Sequence, residues 1–324
     1  MILFVTTAAH RYAVGCLVDG TFGAALPRCA VVDYESLFRA VTLPTATYIF
    51  ADIERLQPWE LAIAAELYRG LAAQGVRCLN DPARVMARFE LLRTLHRRGI
   101  NPFDAYRADE APQPRRFPVF LRNEGDHATA RTALLRDQGE LDAALARLRR
   151  SGISPRGLLV MEFAAEPIAP GIWRKFGTFR TADAYSVDHA VIENRWLVKY
   201  GTIGLATDPL FRHEQEAVTG NVYAEAVRPA FEVAGIEWGR ADHATVAGRE
   251  VVYEINTNPH IRALSPQTSP IRDETLLRAR RRLADHLHAI DAPPGGAIPV
   301  ELGPQRAGYR RALGGKDPGV APRP

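Results

Sequence analysis

Lysine is almost missing from this 324-residue chain: Lys175, Lys199 and Lys316 are the whole complement, and arginine fills every other basic position among the 41. A compact ammonium and a planar guanidinium do different work, so a chain that otherwise uses arginine keeps lysine where the difference counts. Cysteine is as scarce. Cys16, Cys29 and Cys78 are odd in number, scattered, and in no metal or redox spacing, which excludes a disulfide framework and a zinc ribbon and leaves reduced core thiols of a cytoplasmic protein. No run of 18 apolar residues is present, which argues against a membrane helix. The opening Met1-Ile-Leu-Phe-Val-Thr-Thr is too short for a leader, lacks its basic flank, and reads as a buried first strand. No internal repeat is visible, and no serine or cysteine stands in a nucleophilic constellation.

The charge balance is mildly basic at +4. Arg147-Leu-Arg-Arg150 and Arg278-Ala-Arg-Arg-Arg282 fall on helical patterns and read as solvated faces, and no aromatic interleaving suggests a groove for single-stranded nucleic acid. Neither a nucleic acid nor a membrane is expected as a partner; oligomeric state is not legible. At 47% hydrophobic and 24% charged residues the chain is globular, and its length asks for two or three lobes rather than one core.

Residues 1–78 alternate short apolar runs with a helix from Pro58, as in a small α/β domain. A second helix is expected from Asp81-Pro82 to Arg98, stopped by Gly99. Strands are expected at 117–122, 157–163, 175–181, 184–192 and 195–200, with helices at 139–150, about 213–233 and about 273–290. From Asp291 onward proline and glycine dominate, so the segment 291–324 is expected to be mobile or to wrap the surface.

The chemistry concentrates in Glu250-Val-Val-Tyr-Glu-Ile-Asn-Thr-Asn-Pro259. Strand alternation sends Val251, Tyr253 and Ile255 one way and Val252, Glu254 and Asn256 the other. Gly239-Arg-Ala-Asp-His-Ala-Thr245 reads as the partner strand. A three-residue loop at Ala247-Gly248-Arg249 sets Asp242 opposite Glu254 and Arg240 opposite Asn256, whereas a two-residue turn would put the two acids on opposite faces. Facing carboxylates are destabilising unless a cation lies between them, and a divalent metal supplies one. The same residues also suit an edge hairpin with solvated acids, and on these residues alone both readings stand.

Taken in order, these pieces resemble the ATP-grasp superfamily over roughly residues 79–262, within a domain expected to span 79–290: Gly239-Arg-Ala-Asp242 and Tyr253-Glu-Ile-Asn-Thr-Asn-Pro259 carry the specific part, and the order of the preceding strands adds to it. The resemblance implies an α/β (α+β) fold in which two α+β lobes, at about 115–163 and 164–290, grip ATP behind a small N-terminal domain. It also implies that Asp242, Glu254 and Asn256 hold Mg²⁺ and that Arg240 steadies an oxyanion. In Met161-Glu-Phe-Ala-Ala-Glu166, Glu162 and the Ala164 backbone would meet the adenine and Glu166 the ribose. Lys199 would reach the terminal phosphate, and Lys175 or Arg180 would face the phosphates. Where the family carries two further lysines this chain has Arg88 and Arg122, which can bind phosphate bidentately. The loop Asn123–Arg131, with Glu124 and Asp126, would fold over the phosphates.

The function so implied is an ATP- and Mg²⁺-dependent ligase joining a small-molecule or peptide carboxylate to an amine through an acyl phosphate. A phosphotransferase on the same scaffold, and a nucleotide-binding protein that has lost catalysis, are the alternatives. His189 and His260 stand near the implied site as a base or a substrate contact, Arg262 could bind a carboxylate, and His286 and His288 read as structural.

Overall fold

The computed structural model describes residues 1–312 except 127, 128, 294 and 302. In chain order β1 (Ile2–Thr6), β2 (Cys29–Asp33), α1 (Tyr34–Arg39), β3 (Thr42–Pro44), β4 (Thr47–Phe50), α2 (Pro58–Ala73) and β5 (Cys78–Leu79) form the first layer. Its sheet runs β2-β1-β4-β5, all parallel. Every residue of β1 and of β4 is buried, because helices and loops cover both faces and leave no solvated side to alternate toward.

Next come α3 (Arg88–Arg97), β6 (Ala105–Arg107), β7 (Val119–Asn123), α4 (Gln138–Arg150) and β8 (Leu158–Glu162), with the antiparallel order β6-β8-β7. The third group is β9 (Trp173–Thr181), β10 (Ala184–Glu193), α5 (Asp208–Gly220), α6 (Ala224–Ala234), β11 (Trp238–Val246), β12 (Arg249–Asn256) and α7 (Pro270–Ala289). Its sheet is antiparallel, in the order β10-β9-β11-β12.

Buried asparagines join these layers. The Asn80 amide donates to Phe50 O and Trp238 O and accepts from Glu237 N and Trp238 N, tying the first sheet to the start of β11. Asn101 pairs with Val252 N–H and C=O along β12, and Asn221 bonds Val187 N–H and Tyr185 C=O along β10. Both edge strands of the third sheet thus have backbone groups satisfied by a side-chain amide, which blunts them against further pairing.

The β11–β12 hairpin departs from expectation in an instructive way. Its turn is the two-residue Ala247-Gly248, with φ of 48° and 75°, because Val246 pairs with Arg249. Two positive φ values in a two-residue turn match the right-handed strand twist. The expected register nevertheless holds at the far end, where Asp242 faces Glu254 and Arg240 faces Asn256. A bulge between these pairings and His243↔Val252 restores it, with Tyr253 as the extra residue. The bulge also overturns the expected division of faces: Val252 and Ile255 pack with Ala241 against α3 and α6, while Tyr253 joins Glu254 and Asn256 on the cleft side.

Three expected elements are redrawn. Residues 81–87 do not start a helix: Arg84 N and Val85 N turn back on Asp81 O, and Met86 N is held by Ala234 O at the end of α6. The single helix expected over 213–233 is α5 and α6, broken where Asn221 adopts φ 52°. Residues 195–200 form no strand. Instead they curl around the carboxylate of Glu193, as described below. As far as Ala312 the C-terminal segment docks on the first layer: β13 (Ala297–Pro299) pairs with β3, and α8 (Pro304–Ala312) buries Arg306, which donates to Phe38 O, Val300 O and Glu301 O. Residues 313–324 of the expected tail lie outside the described residues. No helix among the described residues is long and apolar enough to cross a membrane.

Ala247 carries a Cβ in a conformation that costs roughly 1 kcal/mol. Ala247→Asn, which keeps the backbone and tolerates positive φ, is expected to raise stability by about 0.5–1 kcal/mol, read as a higher denaturation midpoint with an unchanged transition slope.

Candidate active site

A cleft of about 620 Å³ opens between the second and third sheets, closed at one end by His10, Tyr12 and Arg55 of the first layer. Its floor is the bulged hairpin. Asp242, Glu254 and Asn256 come together there, with the Asn256 amide 3.4 Å from Glu254 Oε1. The next residue, Thr257, donates to Glu54 and accepts from Ile53 N, which anchors this strand end to the first layer.

Both acids are already charge-paired. Glu254 Oε2 accepts from Arg88 at 2.8 Å and Arg122 at 3.0 Å. Lys175 Nζ stands 2.6 Å from Asp242 Oδ2, and Arg240 Nε stands 3.6 Å from Oδ1. Arg122, Lys175 and Arg240 line the cleft. Arg88 lies behind them: its guanidinium also donates to Asn123 O, Glu124 O and Asp126 O, so it binds the loop after β7 rather than bordering the cleft. Burial lowers the Arg88 pKa, Glu254 opposes that shift, and Arg122 adds to it. In that same loop, which was expected to fold over phosphates, Glu124 pairs with Arg107 at 3.1 Å; His127 and Ala128 lie outside the described residues.

Asp242, Glu254 and the Asn256 amide are hard oxygen donors of the kind Mg²⁺ takes alongside phosphate oxygens. Among the described residues no group of three or more His, Cys, Asp or Glu could cage an ion. Two carboxylates and one amide oxygen would leave coordination positions open to the oxygens of a ligand.

The rim between the sheets is Glu162 to Glu166. Glu162 borders the cleft, but its carboxylate turns away to accept from Tyr106 OH, Asp104 N, Arg115 N and Arg116 N, organising the segment between β6 and β7. Ala164 O accepts from Tyr253 OH at 2.9 Å, and Glu166 accepts from Ala247 N at 3.0 Å. Arg180 donates to Ala182 O and Ile236 O and does not line the cleft, whereas Lys175 and its neighbour Arg174 on β9 do.

Lys199 lines the cleft because of a residue that sequence reasoning missed. Glu193, whose side chain is 1% exposed, accepts from the backbone N–H of Lys199, Tyr200 and Gly201. Burial raises its pKa, but these three donors and Arg195 outweigh burial and the net shift is downward. Trp196 then packs on Phe120 and Phe163, so the segment spans both sheets. The second omission is Asp188, 6% exposed, which lines the cleft beside His189 and 3.7 Å from Arg240. The Asp-His doublet was visible in the sequence; the bulge that turns both residues inward was not. His260 and Arg262 line the same end, whereas His286 and His288 do not.

No protein-family model matches the sequence, and no curated protein matches it. Solved structures do. D-alanine–D-alanine ligase from Bacillus anthracis complexed with ATP is similar over 90% of this chain and 97% of that one, at 11% identity and a TM-score of 0.50. A RimK domain ATP-grasp protein from Sphaerobacter thermophilus is similar over 89% of this chain and 100% of that one, at 15% identity and a TM-score of 0.46. The chain has the ATP-grasp fold.

Removing Arg88 leaves three loop carbonyls without their donor and Glu254 with a single guanidinium. Arg88→Ala is expected to cost about 3–5 kcal/mol, seen as a lower unfolding midpoint and faster proteolysis in the loop after Asn123. Glu193→Gln turns an amide N–H₂ toward backbone donors, at a cost of about 1–3 kcal/mol, with faster cleavage between residues 196 and 203. Because the folded pKa of Glu193 is depressed, its contribution is complete above the ordinary value of 4.5 and is lost as pH falls through the lowered value. The stability gap between wild type and Glu193→Gln therefore closes in acid.

Proposed function

We propose that this protein is an ATP- and Mg²⁺-dependent carboxylate–amine ligase that works through an acyl phosphate. The observation that carries the reading is the bulged hairpin, which sets Asp242, Glu254 and Asn256 on one cleft wall with Lys175, Arg122 and Arg240 against them. Phosphoryl transfer asks for positioning and positive charge where the equatorial oxygens gather negative charge, not for a protein nucleophile. Bound Mg²⁺, held by Asp242, Glu254 and Asn256, supplies part of that charge. Lys175, Lys199 and Arg122 supply the rest from the protein side, and Arg88 keeps Glu254 and the loop after β7 in place.

In this reading the adenine lies along Phe163-Ala164-Ala165 with Glu166 toward the ribose. A carboxylate substrate attacks the terminal phosphate, and an amine then attacks the resulting acyl carbon, with Arg240 facing the developing oxyanion. Substrates are small-molecule or peptide carboxylates and amines. The three cysteines form no disulfide, and a cytoplasmic location is part of the proposal.

The test is ADP release with Mg²⁺ and a panel of amino acids and peptides, with product analysis for an amide against a stable phosphorylated compound. Asp242→Asn is expected to lower kcat by about 100- to 1,000-fold with the fold retained. Release that is indifferent to every carboxylate, or an Asp242→Asn variant as active as wild type, would overturn the reading.

A further inference from the structure

The end of the cleft beside Arg240 holds a pair of groups that the steps above leave unused. Strand β10 carries a register break: Val187 pairs with Thr178 and His189 with Gly177, leaving Asp188 as the extra residue. Regular alternation would send neighbours to opposite faces. With the break, both Asp188 and His189 line the cleft.

They are bonded to each other, His189 Nδ1 to Asp188 Oδ2 at 2.7 Å. A carboxylate on Nδ1 fixes the proton there and leaves Nε2 with its lone pair. That Nε2 makes no hydrogen bond among the described residues. The carboxylate stays ionised: burial opposes its charge, but His189, Arg280 and Arg240 outweigh burial and hold its pKa far below the usual range. Arg240 reaches from Asp188 at 3.7 Å to Asp242 at 3.6 Å, so one guanidinium separates the pair from the hairpin acids. The charged groups around the Asp188–His189 pair are Arg240 on β11 and Arg280 on α7, which act on Asp188, and Glu214 on α5 with its partner Arg272 on α7. Glu214 is itself bonded to Ala190 N.

An amine at neutral pH is protonated and cannot attack until it loses a proton. We propose that His189 is the general base for the amine half-reaction and that Asp188 positions it. His189 Nε2 takes one proton from the ammonium, which frees the nitrogen lone pair to bond to the acyl carbon, and the second N–H proton is lost to the departing phosphate as the amide forms. The carbon–oxygen bond to phosphate then breaks, phosphate leaves with the electron pair, and the imidazolium beside Asp188 returns its proton to water.

This inference rests on the ligase reading, and a substitute nucleophile separates the two. Hydroxylamine is uncharged at neutral pH, attacks acyl phosphates without a base, and gives a hydroxamate. With the carboxylate and amine from the panel that release ADP fastest, His189→Gln is expected to slow amide formation by about 100- to 10,000-fold and to leave hydroxamate formation within about twofold, which also certifies the fold. Asp188→Asn, whose amide favours the opposite imidazole tautomer, should slow amide formation by on the order of 100-fold, again sparing the hydroxamate. Equal losses with both nucleophiles, or no loss with either, overturn the base. Wild-type protein that forms no hydroxamate from any carboxylate overturns the ligase reading and the base with it.

Discussion

The cleft depends on one carboxylate. Glu254 accepts from Arg88 on α3 and Arg122 on β7, so a single side chain on β12 ties together a helix and two sheets. All three side chains are mostly buried, and a buried ion pair recovers its desolvation cost only when the remaining donors are also satisfied. Arg88 meets that condition in part, by donating to the carbonyls of Asn123, Glu124 and Asp126 at the end of β7 and just beyond it, while its Nε is buried without a partner among the described residues. A phosphate entering the cleft meets guanidinium groups already engaged, and a cation binding Glu254 competes with them. Ligand charge and internal charge are therefore coupled through the same atoms.

Two backbone irregularities in the third sheet aim the chemistry. The β12 bulge undoes the offset of a two-residue turn and brings Asp242 opposite Glu254; the β10 break turns Asp188 and His189 to one side. Bulges bend a strand and re-aim side chains at the expense of a ladder bond. The edge asparagines Asn101 and Asn221 bond β12 and β10 close to these irregularities, at Val252 and Val187. The sheet can thus depart from regular alternation while its edge backbone groups stay satisfied.

The scarcity of lysine takes on a geometric meaning here. Lys175 makes a single close contact with Asp242, a task for a point charge, whereas Arg88 spreads its donors over four acceptor oxygens on separate residues. Arginine could not fill the first place without changing its shape, and lysine has too few fixed donors for the second.

Local pattern was enough for the α/β character of the first layer, the antiparallel hairpin, the pairing of Asp242 with Glu254 and most of the strands whose order resembles the ATP-grasp fold. Each of these follows from hydrophobic period and turn residues, which act between neighbours along the chain. The right register was reached through the wrong turn, because a bulge carries no signature that alternation can show. Only the tertiary structure decided where the polar side chains ended up: Arg88 behind the cleft, Glu162 turned into the β6–β7 segment, Glu193 holding the Lys199 segment, and Asp188 beside His189. The cause is the same in most of these cases. A charged group takes the partner that satisfies it at least desolvation cost, and for Arg88 that partner lies 166 residues away. Nothing in the local sequence at either end records the match.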